Sequence, residues 1–407
     1  MICVMSEGKN QENSNLIKLL KNLSGKGKIR GNIQGSNIKE NPQVKPSNAY
    51  SSASYRNAVK RACQRAFKTL NEEGKEFNKE HYFCPMGKTN AVIFLLLSLL
   101  NGKLPFLLFD WKRNYRDILG MCKEPLHIYT VGRDVSPFYF NPLVVPQGVE
   151  PSTWVKLLVE LISLAYFGGE GSSHLIVKAI DSCYKEFGIY KGSKSYPSFI
   201  DVHNKIKLMK VKGRSAEWMQ TVQRTLESMC YGSLGKVINN PTHINTEELL
   251  KQFAILELDN LTQNADKIFL ISTLSLHIQY FRLQEQKREV VKGIMVFDEC
   301  HHLFLKGFKG TPLMENFLRE VREYGVGCIL IDQEPSSLSR TVIANTNTQF
   351  TFKLNEQRDV NTAGSYSLIS DKAKAVFGLI PIGMAVVRIH RHSKINFKFV
   401  RKGLKIS

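Results

Sequence analysis

Gly87, Lys88 and Thr89 stand in succession, and much later the apolar run GIMVFDE (293–299) ends on Asp298 and Glu299. A glycine lets backbone approach an anion, a following lysine reaches phosphate oxygens, and the next hydroxyl offers a ligand to a divalent cation. Two carboxylates beyond a buried strand supply the complement. The first holds the cation, directly or through water, and the second takes a proton from an attacking water. Each element alone has a plainer reading: Gly-Lys-Thr is a common surface turn, and a strand-end acid pair can cap a helix. Together they point to nucleotide chemistry assisted by Mg²⁺.

The entry to the first element is unusual. The full signature G-x-x-x-x-G-K-[ST] places a glycine five residues before Gly87, where this chain has Tyr82. Residues 82–84 read as strand, so only Pro85 and Met86 precede Gly87. Proline brings no N–H to the backbone cradle that holds phosphates. The expectation is a site whose lysine, hydroxyl and carboxylates are intact and whose cradle is shortened. Gln333, just past the run GCILID (327–332), is a candidate sensor of the γ-phosphate or its water; a loop amide capping the next turn is the alternative. Arg319 and Arg322 lie at i and i+3 in FLREVREYG (317–325). They are candidates to stabilise charge on a transferring phosphoryl group, or simply partners of Glu315, Glu320 or Glu323.

The elements that position these residues are legible as patterns. Residues 91–100 read as a helix, LPFLLFD (104–110) and LHIYTV (126–131) as strands. Segments 154–167, 174–187 and 216–229 have helical periodicity and form an expected helical insertion. Strands return at FAILELD (253–259), GIMVFDE, GCILID and QFTFKL (349–354), with helices around 265–287 and 312–324. MAVVRIH and INFKFV close the chain as an expected antiparallel edge pair. Strands alternating with helices predict an α/β fold with a mostly parallel central sheet. The expected organisation is a disordered basic tail over 1–52, a first sheet portion with an N-terminal helix over 53–150, the insertion over 151–250, and a second sheet portion over 251–407.

Composition narrows the partners. Lys and Arg number 56 against 36 Asp and Glu across 407 residues, a net charge of +20. Such an excess favours a polyanion, nucleic acid or an acidic membrane surface; a solubilising surface is the plainer account. Residues 1–60 hold ten basic and three acidic residues and few aromatics, a composition that buries too little to offset its ordering entropy. The eight cysteines include no C-x-x-C pair, which argues against a zinc site or disulfide scaffold and for free thiols in a reducing cytoplasm. The longest apolar run, 91–100, falls well short of the roughly 20 residues a bilayer span needs.

With those residues in view, the chain resembles the HerA/FtsK superfamily of ring-forming DNA-translocating ATPases, most closely the HerA-like core. The stretches that carry the likeness are GKTNAVIFLLLSLL, LLFDWKRNYRDIL, PFYFNPLVVPQGVEPSTW, VFDECHHLFL, LREVREYGVGCILIDQEPSSLSR and IANTNTQFTFKL, in that family's order over about residues 80–400. The resemblance implies a RecA-like P-loop core lacking the N-terminal β-barrel. It implies Gly87, Lys88 and Thr89 at the nucleotide, Thr89 and Asp298 at Mg²⁺, and Glu299 as base. It implies Gln333 as sensor, Arg322 or Arg319 reaching a neighbouring subunit's nucleotide, and His301 as the histidine of a D-E-x-H variant. The expected function is ATP-driven movement of double-stranded DNA by a homo-oligomer, hexameric in the family, with a nuclease as one candidate partner. A degenerate non-hydrolysing ring subunit and a conjugation- or secretion-type ATPase are the alternatives. The loop Trp111-Lys112-Arg113-Asn114-Tyr115-Arg116 is either a basic DNA contact or a solvated connection.

Overall fold

The computed structural model describes residues 1–5, 87–122, 124–166, 168–285, 291–304, 312–346, 348–367, 374, 376–380, 385–389 and 398–399. The expected tail from residue 6 onward, the helix from residue 53, and the strand-like 82–84 with the shortened loop before Gly87 lie outside the described residues.

Nine strands form one sheet among these residues: β1 (Ile2–Met5), β2 (Phe106–Asp110), β3 (His127–Thr130), β4 (Phe253–Glu257), β5 (Gly293–Phe297), β6 (Val326–Ile331), β7 (Thr348–Thr351), β8 (Val386–Ile389) and β9 (Lys398–Phe399). Their order is β3-β4-β2-β5-β6-β1-β7-β8-β9. The β3-β4-β2-β5-β6 half is parallel throughout. β1, β7, β8 and β9 extend it antiparallel, so the closing pair expected from the sequence is present.

β2, β5 and β6 are buried along their whole length, which is why they read as unbroken apolar runs rather than alternations. Successive side chains nevertheless serve opposite layers. Phe106, Leu108, Ile294, Val296, Ile329 and Ile331 pack on one face with Val92, Leu95, Leu96 and Leu99 of α1 (Gly87–Asn101). Leu107, Phe109, Met295, Phe297, Cys328 and Leu330 pack on the other, where α8 (Asn264–Leu283) contributes Phe269, Leu270 and Leu274. Burial of each such side chain contributes about 1.5–3 kcal/mol.

Between β3 and β4 the chain leaves the sheet for α2 (Pro151–Tyr166), α3 (Glu170–Glu186), α4 (Phe199–Leu208), α5 (Ser215–Cys230), α6 (Gly232–Ile238) and α7 (Thr246–Leu249). This helical layer joins the same apolar core as the α8 side of the sheet. After β5 come α9 (Pro312–Glu320), α10 (Arg340–Ala344), α11 (Gln357–Tyr366) and α12 (Val376–Leu379).

One expectation needs correcting at the start of the chain. Ile2–Met5 is a strand, not part of a disordered tail. It lies between β6 and β7 and pairs antiparallel with both, and Ile2 is fully buried. A four-residue apolar run is easily hidden by the polar sequence after it; filling a gap between two strands satisfies its backbone on both sides.

Candidate nucleotide site

Parallel neighbours bring their carboxyl ends to one edge, and ligands of open α/β sheets bind where the strand order reverses. Here that edge carries a row of acids. Glu257 ends β4, Asp110 ends β2, Asp298 follows β5 and Asp332 follows β6. Asp110 pairs in register with Glu257, and Phe109 with Phe297, so Asp298 sits beside Asp110. All four are buried.

α1 ends close to the start of β2, with Leu104 N–H donating to Leu99 O at 3.0 Å. Its first residues, Gly87, Lys88 and Thr89, therefore lie at the acidic edge. Burial lowers the Lys88 pKa, against the opposing pull of Glu299, Asp332 and Asp298. The amine thus sits within the field of both acids of the Asp-Glu pair. The sequence-predicted lysine and carboxylates are brought together; Thr89 lies one residue further along the same helical turn.

The two acids differ in state. Burial pushes Asp298 up to about 7, reinforced by the charges of Asp110 and Glu299 and opposed by Lys88. The buried Tyr115 hydroxyl lies within the field of Asp298, and Asp298 Oδ2 is buried without a hydrogen-bond partner. Burial also disfavours the Glu299 anion, but hydrogen bonds from Lys112 and Gln333 outweigh it and hold that carboxyl below the usual range. Lys112 Nζ donates to Glu299 Oε1 at 2.9 Å and Gln333 Nε2 to the same oxygen at 2.5 Å. Gln333 therefore meets the Glu299 carboxylate, a role distinct from capping its own turn. Pairs of acids pushed in opposite directions mark acid and base assignments.

Asp332 anchors the turn carrying this pair. It accepts from His301 N at 2.6 Å, His301 Nδ1 at 3.0 Å and Glu334 N at 2.8 Å. Burial opposes its charge, and the bonds from His301 prevail to hold it below the usual range. The turn has Glu299 in the left-handed region at φ 50 and ψ 48, a conformation costing a non-glycine residue on the order of 1 kcal/mol. The anchor at Asp332 offsets it.

The Trp111–Arg116 loop is not a free basic contact. Asp110 accepts from the backbone N–H of Lys112, Asn114 and Tyr115 at 3.3, 2.9 and 3.1 Å. Arg116 donates twice to Glu257, at 2.8 and 2.6 Å. Trp111 is buried, stacked on His302 with ring centroids 4.3 Å apart, and the Lys267 ammonium lies 4.8 Å over it. Asp110, Lys112, Tyr115 and Asp332 were thus missed as site residues by motif reading.

The arginines are not brought to the site of their own chain. Arg319 is half exposed near the end of α9 and lies 4.0 Å from Glu315, the intrahelical pairing weighed above. Arg322 is in the 3-10 turn Val321–Tyr324, leading into the start of β6, the end of the sheet opposite Asp298.

The donor set fits Mg²⁺ with a nucleotide. An orphaned buried carboxylate oxygen at Asp298 offers a hard ligand, and Mg²⁺ takes one or two protein carboxylates with phosphate and water completing its shell. Among the described residues no group of three or more His, Cys, Asp or Glu could hold a metal by itself, so substrate oxygens would complete the shell.

Comparison with known proteins bears on the fold. A family profile described as zonular occludens toxin (Zot) matches residues 233–378, the segment bearing Asp298, Glu299, Asp332 and Gln333. No curated protein matches the chain. Among solved structures, VirB4 of Thermoanaerobacter pseudethanolicus is similar with a TM-score of 0.60 at 16% identity, over 75% of this chain and 84% of that one. The bacterial conjugative coupling protein TrwBdeltaN70 gives 0.54 at 10% identity, over 76% and 79%. Plasmid coupling protein TrwB in complex with the non-hydrolysable GTP analogue GDPNP gives 0.53 at 11% identity, over 82% and 90%. At these identities the likeness is one of architecture: the chain has the α/β fold of RecA-like P-loop ATPases.

Proposed function

We propose that this chain is an ATP-hydrolysing motor of HerA/FtsK type that moves double-stranded DNA as a ring-shaped homo-oligomer. The observation that carries the reading is the start of α1, with Lys88, at the edge where β5 delivers Asp298 and Glu299, the Lys88 amine lying in the field of both acids. In this account Gly87 and Lys88 would hold the phosphates, and Thr89 and Asp298 would hold Mg²⁺. That ion would neutralise phosphate charge when bound. Glu299 takes the proton of the attacking water. Gln333 donates to Glu299 and reports on its position. Arg319 and Arg322 are left to serve a neighbouring subunit's site.

The net charge of +20 supports a polyanionic track, and a motor that follows backbone phosphates needs no base contacts. No helix of the described residues is long and apolar enough to cross a membrane. A cytoplasmic location and a nuclease as one partner belong to the same proposal. A second reading is favoured by the neighbours themselves: VirB4 and the conjugative coupling protein TrwB suggest a conjugation- or secretion-type ATPase whose cargo is a DNA–protein complex.

Steady-state turnover with and without nucleic acid separates these readings. The DNA-motor account predicts turnover stimulated several-fold by duplex DNA and abolished by Lys88→Ala. Turnover indifferent to duplex DNA would remove DNA as the track and leave the second reading. No turnover together with retained nucleotide binding would make the chain a degenerate ring subunit.

A further inference from the structure

The site contains a side chain whose presence the assigned roles do not require. Lys112 lies in the loop after β2, and its ammonium meets Glu299 from outside the Asp-Glu turn. Both donors to Glu299, Lys112 Nζ and Gln333 Nε2, use the same oxygen, Oε1. The other oxygen, Oε2, faces His301 Nδ1 at 3.7 Å, beyond hydrogen-bond range. His301 Nδ1 is engaged with Asp332 instead. Two donors on one oxygen fix the rotation of the carboxylate and leave its second oxygen to accept a proton.

Stability does not account for the contact. The Lys112 side chain is 54% exposed and that of Glu299 6%. A half-solvated pair contributes about 0–1 kcal/mol, because ordering a long side chain offsets most of the attraction. Nor does the loop need this ammonium for its shape. Three backbone N–H groups bonded to Asp110 and the paired bonds from Arg116 to Glu257 already hold it. What the ammonium does touch is the oxygen Oε1 of the Glu299 carboxylate.

We infer that Lys112 is a positioning residue for hydrolysis: with Gln333 it clamps Oε1 of Glu299, so that Oε2 is the oxygen that takes the proton from water. The inference rests on Glu299 being the base. It also links the base to the loop after β2, whose backbone is held by Asp110 and whose Arg116 pairs with Glu257.

The test is a set of single-turnover measurements on full-length wild type, Lys112→Met, Lys112→Arg, Glu299→Gln and the double variant Lys112→Met/Glu299→Gln, with binding of a fluorescent non-hydrolysable ATP analogue measured in parallel. Lys112→Met is expected to slow the chemical step by about 10- to 100-fold, the scale of a misplaced reacting group, with analogue affinity within about twofold of wild type. Lys112→Arg, which restores a cationic donor, regains most of the rate. In the Glu299→Gln background the Lys112→Met change has no further effect, because its target is gone. A multiplicative loss in the double variant, or a loss confined to affinity, overturns the inference while leaving Glu299 as base. Wild type and Glu299→Gln turning over equally overturns the assignment of the base, and the inference with it. A thermal-unfolding midpoint unchanged by Lys112→Met confirms that the loop holds without the ammonium.

Discussion

Glu299→Gln is expected to slow ATP turnover by about 10²–10⁴-fold, the usual contribution of a positioned general base, while nucleotide affinity stays near wild type. The amide keeps a carbonyl oxygen for Lys112 and Gln333, so the geometry of the turn survives. It lacks only the charge and basicity that a proton transfer requires. Rapid-quench hydrolysis with parallel analogue binding checks both halves of this statement. An affinity loss as large as the rate loss would mean that Glu299 serves binding, and unchanged turnover would remove it from the mechanism.

Asp298→Asn is expected to stabilise the nucleotide-free protein at alkaline pH while removing Mg²⁺-dependent activity. The folded-state pKa of Asp298 is pushed up to about 7, against about 3.9 for an unfolded aspartate. For an acid raised on folding, the native state binds the proton more tightly. Stability therefore falls as pH rises from about 4 to about 7, and the full cost is present above that window. Three units correspond to about 4 kcal/mol, an upper bound because Asp110, itself raised to about 6, shares the coupling. Asparagine cannot ionise, so it avoids the cost at nearly the same size and shape. Thermal unfolding at pH 8 is expected to show a higher midpoint for Asp298→Asn than for wild type, with the gap closing at pH 4. A gap independent of pH would show that the acid is not held protonated by its surroundings. Such a trade of stability for a poised carboxylate is common at active sites.

The central strands were legible because nothing about them is ambiguous: FLLFD, GIMVF and VGCILI are too short for a buried helix and too apolar for a loop. Lys88, Asp298 and Glu299 were legible because Gly-Lys-Thr and strand-Asp-Glu are local patterns. Asp110, Glu257 and Asp332 were not, because only the order β4-β2-β5-β6 makes them neighbours, and no single sequence window contains that order. A signal was nonetheless present. The runs FLLFD, FAILE, GIMVFD and VGCILID each end on an acid, and parallel strands must bring such ends to one edge.

The loop Trp111–Arg116 shows the opposite failure. Its three cations suggested solvent or DNA, yet Lys112 and Arg116 spend their charge on Glu299 and Glu257. Local composition does not reveal a cation's partner when the partner lies on another strand. β1 was missed for a related reason, since its support comes wholly from β6 and β7. Arg319 was read both ways, and the pairing with Glu315 is what its own chain provides.

Equilibrium titration of a fluorescent non-hydrolysable ATP analogue with Mg²⁺, into wild type and Lys88→Ala, tests most directly whether one triphosphate joins Lys88 to the Asp-Glu pair. The account predicts micromolar binding to wild type and a loss of at least about tenfold in Lys88→Ala, since a charge-assisted contact contributes about 1.5–3 kcal/mol. Equal affinity in the two proteins, or no binding to wild type at millimolar analogue, would contradict it.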